Sequence, residues 1–181
     1  MDQGTTEMTL LPLCIETPIV SVKKQDFNPM LPLQLGDYTA ISNLGKGGMA
    51  RVFEGMYCGD NGFKRKVAIK MTPSGDETGE RLWAEAKLMA EIFDTRVPAV
   101  LDRGHWNGCS YYVMELVEGW TLKEILKTER TLPLEVCLDI GLALVDVLTT
   151  LHGHQREGVA RSIVHCDIKP SNVMLTVEGS L

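Results

Sequence analysis

Asp167, Lys169 and Asn172 fall within one thirteen-residue stretch, Ile163 to Leu175, that reads IVHCDIKPSNVML. Two apolar runs bracket a loop in which a carboxylate, an ammonium and an amide are concentrated. Packing does not require that mixture, whereas phosphoryl transfer does. A carboxylate can orient an attacking hydroxyl, a lysine can neutralise phosphate, and an amide oxygen can complete a magnesium shell. A polar turn between two strands is the plainer alternative, and the residues upstream decide between the two.

Those upstream residues read as short strands and one helix. Tyr38 to Leu44, Arg51 to Tyr57 and Lys66 to Met71 form an antiparallel start. Gly45, Gly47 and Gly48 join the first pair, and Asn61-Gly62 supplies a tight turn before the third strand. In LGKGGMARV, Leu44 to Val52, glycines without a Cβ let backbone N–H groups come close to phosphate oxygens. Ala50 replaces the third glycine of G-x-G-x-x-G and no helix follows, which disfavours a dinucleotide-binding fold. In VAIK, Val67 to Lys70, the strand period puts Ala68 and Lys70 on one face, a small residue beside a cation. An edge strand with a snorkelling lysine is the bland alternative.

Helical periodicity over Glu80 to Phe93 places Leu82, Met89 and Phe93 on one stripe, which Glu85 shares. A carboxylate left buried alone is strongly destabilising, so Glu85 either rotates to solvent or meets a cation, for which Lys70 is the candidate. Ala99 to Arg103 and Tyr111 to Leu116 complete five strands around this one helix, with a hairpin at Trp106-Asn107-Gly108.

Past Gly119, Thr121 and Glu124 make a T-x-x-E capping box for a short helix bearing Leu122, Ile125 and Leu126. Pro133 then opens a long helix to about His152, whose apolar residues between Leu138 and Leu151 lie all round the axis, as in a helix buried on most sides. His152, His154 and Glu157 read as solvated loop residues rather than metal ligands. At the other end, residues 1–36 carry Pro12, Pro18, Pro29 and Pro32 and read as a flexible leader, although Leu11, Leu13 and Ile15 alternate as a docked strand would.

The totals narrow the class. With 181 residues, 44% of them apolar, the chain is long enough for one domain with a core. No apolar run reaches membrane-spanning length, and Asp2 and Glu7 precede the first apolar stretch, unlike a signal peptide, so a cytoplasmic setting is expected. The five cysteines stand singly without C-x-x-C spacing, which indicates reduced thiols rather than disulfides or zinc. A net charge of −6 with both signs interspersed argues against a nucleic-acid partner.

Taken in order, the glycine-rich hairpin, the VAIK lysine, the helix glutamate and the HCDIKPSN loop resemble eukaryotic-type serine/threonine protein kinases in their bacterial form. Cys166 departs from the H-R-D-x-K-P-x-N pattern at its arginine. The resemblance implies an α+β, two-lobed fold: a five-stranded antiparallel small lobe with one helix over residues 37–117, and a mainly helical, incomplete large lobe over 118–181. It implies ATP and Mg2+ as cofactors and Ser/Thr hydroxyls of proteins as substrates. Asp167, Lys169, Lys70 and Glu85 would be catalytic. Leu44, Gly45, Gly47, Gly48, Val52, Ala68, Lys70, Met114, Glu115, Val117 and Met174 would bind the nucleotide, and Asn172 would ligate the metal. The family's D-F-G aspartate is expected after the strand that Val173 to Leu175 begin, and the sequence reaches Leu181 without it. An inactive fragment is therefore expected, with a pseudokinase-like nucleotide- or protein-binding module as the alternative.

Overall fold

The computed structural model describes residues 11–12, 27–46, 50–73, 76–156, 159–160 and 162–177. In chain order its elements are β1 (Leu11–Pro12), β2 (Leu33–Leu35), β3 (Tyr38–Lys46), β4 (Arg51–Cys58), a 3-10 turn (Asp60–Gly62), β5 (Lys64–Met71), α1 (Asp76–Met89), β6 (Val100–Trp106) and β7 (Cys109–Glu115). There follow β8 (Gly119–Thr121), α2 (Leu122–Glu129), α3 (Leu134–His152), β9 (Gln155–Arg156), β10 (Val159–Ala160), β11 (Ile163–Val164) and β12 (Met174–Thr176). They gather into two compact units, Pro18–Val117 and Met1–Thr17 with Glu118–Leu181.

In the first unit six strands form one antiparallel sheet in the order β2-β3-β4-β5-β7-β6. One face carries the main core, including Leu35, Phe53, Val67, Ile69, Met71 and Val113. The other receives α1, whose Leu82 and Ala86 pack against Tyr112. Turns fall where the sequence puts positive-φ residues, Asn61 (55°) and Gly62 (78°) before β5, and Asn107 (46°) and Gly108 (76°) between β6 and β7.

Two expectations are corrected here. The sheet has six strands rather than five, because Leu33–Leu35, assigned from sequence to the flexible leader, pairs with β3. The L-Q-L alternation buries Leu33 and Leu35 and leaves Gln34 exposed, its amide donating to Gly36 O at 2.6 Å. Pro29 and Pro32 fall before the strand, where no ladder hydrogen bond is asked of them. Second, α1 ends at Met89, after which Glu91 N to Leu88 O and Ile92 N to Met89 O tighten to i→i−3 bonds. Phe93 lies beyond that turn, 94% exposed, and so leaves the stripe assigned to it.

In the second unit β8 pairs with β12, β9 with β10, and β1 runs parallel to β11 through Leu11↔Ile163 and Pro12↔Val164. Leu13 and Ile15 lie outside the described residues. The capping box forms on α2: Glu124 N donates to Thr121 Oγ1 at 3.2 Å, and Thr121 N donates to Glu124 Oε2 at 2.8 Å. The Thr121 hydroxyl, which donates to Glu124 Oε2 at 2.7 Å, and then the Thr121 N–H hold the Glu124 carboxyl below the usual carboxylate range. Two further N–H groups of the first turn are satisfied by Val173 O (from Leu122, 2.8 Å) and Pro170 O (from Lys123, 2.9 Å), which ties the Asp167 loop to a helix end. The long helix α3 is less covered than its composition implies. Ile140 and Leu151 are buried, whereas Leu134, Leu138, Leu142 and Val145 are exposed.

Candidate functional site

Strand register determines which side chains meet in the first unit. Lys70 lies opposite Val52 on one side and Tyr112 on the other, Ala68 lies opposite Met114, and Gly45 lies opposite Val52. Directly paired residues share a face, so Gly45, Val52, Ala68, Lys70, Tyr112 and Met114 all stand on the face against which α1 packs. Glu85 projects from α1 onto that face. Lys70 Nζ donates to both of its oxygens, at 2.5 and 2.8 Å, with the two side chains 25% and 28% exposed.

Tyr112 completes this cluster and was not singled out from the sequence. Its hydroxyl donates to Glu85 Oε1 at 3.0 Å, and the ring lies beneath the Lys70 ammonium, 5.9 Å from centroid to nitrogen. Burial, reinforced by the Glu85 charge and hydrogen bond, pushes its phenol far above the ordinary tyrosine range, so it remains a neutral donor. The signal was present in the two-residue period that puts Tyr112 beside Met114 on the lysine's face.

Other candidates take more varied positions. Leu44 is half-exposed, beside a register shift between Asn43 and Gly45, and Ala68 is buried. Gly47 and Gly48 lie outside the described residues. Glu115 uses its backbone N–H on Ala99 O (3.0 Å), while its carboxylate pairs with Arg65 (3.0 Å). Val117 follows β7 and is half-buried.

The second unit holds the other cluster, on the loop between β11 and β12. Lys169 Nζ donates to Asp167 Oδ2 at 2.7 Å, and Asn172 Nδ2 donates to the same oxygen and to Asp167 O, each at 2.9 Å. Asp167 N donates to His165 Nδ1 at 3.2 Å, a contact reached through Cys166, whose φ of 58° is uncommon for a residue with a side chain. Hydrogen bonding from Lys169 first, and from Asn172, holds the Asp167 carboxyl below its usual range, so it is ionised at neutral pH. Among the described residues the Asn172 Oδ1 has only a long 3.5 Å contact from Ser171. Met174 is half-buried in β12, opposite Thr121.

Among the described residues no group of three His, Cys, Asp or Glu side chains is placed to hold a metal, and no helix is long and apolar enough to cross a membrane. Among the described residues Cys58, Cys109, Cys137 and Cys166 form no disulfide.

The chain has relatives among proteins of known family. The protein kinase domain family matches residues 38–181. A probable serine/threonine-protein kinase of Clostridium perfringens is 34% identical over 146 residues, 78% of this chain and 20% of that protein. The tyrosine-protein kinase MasK of Myxococcus xanthus is 32% identical over 158 residues, 81% of this chain and 24% of that protein. Among solved structures the apo form of PpkA-294 superposes with a TM-score of 0.67 at 20% identity, covering 84% of this chain and 59% of that one, a likeness of fold. The chain thus spans about a fifth to a quarter of the length of these two curated relatives. With the sheet, the α1 glutamate and the Asp167 loop in the order that family has them, the chain belongs to the protein kinase domain family.

Proposed function

We propose that this chain carries the nucleotide-binding and hydroxyl-orienting parts of a serine/threonine protein kinase that transfers the ATP γ-phosphoryl group to protein hydroxyls. The observation that carries the reading is the Asp167 loop, in which an ionised carboxylate is held by an ammonium and an amide. An anionic Asp167 can accept a hydrogen bond from a Ser or Thr hydroxyl and aim its oxygen, while Lys169 neutralises charge on the transferring group. Lys70, fixed by Glu85 and Tyr112, would hold phosphate oxygens, and Gly45, Gly47 and Gly48 would offer backbone N–H groups. Leu44, Val52, Ala68, Met114 and Met174 would enclose the adenine, with the backbone of Glu115 and Val117 at its edge.

The residues also fit Mg2+ in kind. It takes oxygen ligands and keeps waters and substrate phosphates in its shell, and Asn172 presents an amide oxygen with little other use. When bound, the ion supplies neutralisation of phosphate charge. Lys169, two residues after Asp167, supports the Ser/Thr class, although one relative is named a tyrosine kinase. The spaced, reduced cysteines support a cytoplasmic setting.

Two measurements test this reading. The 181-residue chain should bind a fluorescent ATP analogue, with affinity reduced about tenfold or more in Lys70→Met. Fused ahead of the remaining part of a relative's kinase domain, it should transfer label from γ-labelled ATP to Ser and Thr of a basic protein, and Asp167→Asn should abolish transfer. Nucleotide affinity indifferent to Lys70→Met, or label recovered on tyrosine alone, would overturn the assignment.

A further inference from the structure

The sheet face opposite Lys70 ends in a pocket of about 280 Å³ that the kinase reading does not use, lined by Asp37, Tyr38, Tyr57, Phe63, Arg65, Val67, Leu101 and Asp102. Register explains how it forms. Tyr38 lies opposite Tyr57 and Tyr57 opposite Arg65, a row that shares the face of Val67. Two ring contacts make its walls: Tyr38 and Tyr57 are tilted by 43° with centroids 5.2 Å apart, and Tyr57 meets Phe63 edge-on at 6.1 Å. The Tyr57 ring also leans over Gly59, where an added Cβ would come within 2.9 Å of it, so a side chain at 59 would press on this wall.

Charge gives the pocket a sign. The Arg65 guanidinium is committed to Glu115 at 3.0 Å. Asp102 accepts from Arg103 N at 2.7 Å and lines the pocket beside Tyr38, and among the described residues no cation pairs with Asp102 or Asp37. Two uncompensated carboxylates therefore adjoin three aromatic rings whose faces are electron-rich. Such a combination favours an organic cation over a neutral or anionic group, because the ring quadrupoles and the carboxylates attract the same charge. The volume is at the lower end of small-molecule sites, which suits a compact head group rather than a macromolecular surface.

We propose that this pocket is a binding site for a small organic ammonium ligand, with Tyr38, Tyr57 and Phe63 as its aromatic walls and Asp37 and Asp102 as its counter-charges. Strand β5 then serves two ligands from its two faces, with Val67 toward this pocket and Ala68 and Lys70 toward the other side.

The test uses the 181-residue chain with tetramethylammonium chloride as probe, sodium chloride as the ionic-strength control and tert-butanol as the neutral isostere. Ring-proton NMR shifts of Tyr38, Tyr57 and Phe63 should titrate saturably with the probe, with binding at least fivefold weaker for the neutral isostere. Asp102→Asn and, separately, Asp37→Asn should each weaken probe binding about two- to fivefold. Phe63→Leu should weaken it with the sheet intact by its other NMR signals. Equal binding of tert-butanol, shifts reproduced by sodium chloride, or no saturable shift at all would overturn the proposal. So would unaltered binding in both Asp→Asn variants.

Discussion

The ion pair between Lys70 and Glu85 shows how a partly buried charge is kept usable. Tyr112 donates to the same carboxylate, so Glu85 stays anchored even when Lys70 turns toward another anion. Lys70→Met preserves volume and removes the charge, so nucleotide binding should fall sharply. Stability should fall by about 1 to 3 kcal/mol, since the mostly buried Glu85 loses its cation while the Tyr112 hydroxyl still donates to it. Urea denaturation beside nucleotide titration separates the two effects, and nucleotide affinity within a few-fold of the native chain would refute the role. Tyrosine ionisation gives an independent reading. Burial first, then the Asp102 charge and hydrogen bond, pushes the Tyr38 phenol up to about 12 from its ordinary 10.0. A raised folded-state value means that the folded state keeps its proton longer, so the contribution is complete below pH 10 and is lost as pH rises toward 12. Asp102→Asn should lower the Tyr38 midpoint in a titration followed by its ring NMR signals. An unmoved midpoint would remove Asp102 from the account.

Elements meet most tightly where glycine permits it, and two glycines give opposite predictions. A Cβ on Gly119 would lie 2.1 Å from Leu175 O and 2.9 Å from its carbonyl carbon, backbone atoms that cannot yield without opening the β8–β12 pair. Gly119→Ala should cost about 2 kcal/mol or more and speed amide exchange in β12. Gly141, inside α3, has nothing within 4 Å of its virtual Cβ, so Gly141→Ala should stabilise by up to about 1 kcal/mol. Thermal denaturation of both variants checks the contrast, and equal effects would show that close approach is not what selects glycine at 119. The same scale shows what the sequence disclosed. Local chemistry was legible: Thr121 and Glu124 announced their helix start, Asn61-Gly62 its turn, and the VAIK alternation the shared face of Ala68 and Lys70. Long-range pairing was not. Leu33–Leu35 is too short to stand out among prolines and becomes a strand only because β3 offers an edge, and Phe93 leaves its stripe because α1 stops a turn early. Tyr112 was overlooked because its partner, Glu85, is brought to it by helix docking rather than by sequence proximity.

At the scale of the whole chain, the covering of α3 decides solution behaviour. Leu134, Leu138, Leu142 and Val145 are spaced by four, four and three residues, which aligns them along one side of the helix. Their exposures of 73%, 57%, 65% and 59% make that side an apolar stripe, while Ile140 and Leu151 are buried. Covering one such side chain is worth about 1.5 to 3 kcal/mol when complete, so even partial burial of four of them between two copies outweighs much of the cost of association. The 181-residue chain should therefore self-associate at micromolar concentration, more strongly in warm buffer than in cold because the driving force is hydrophobic. Adding salt should not disperse the assemblies, since charge pairs are not what holds them. Replacing Leu138 and Leu142 by Glu should restore a monodisperse monomer without altering the Lys70–Glu85 cluster, as the two sets of residues belong to different units. Multi-angle light scattering on the native and doubly substituted chains provides the measurement. A native chain that stays monomeric at high concentration, or a variant that associates equally, would show that this stripe does not drive association.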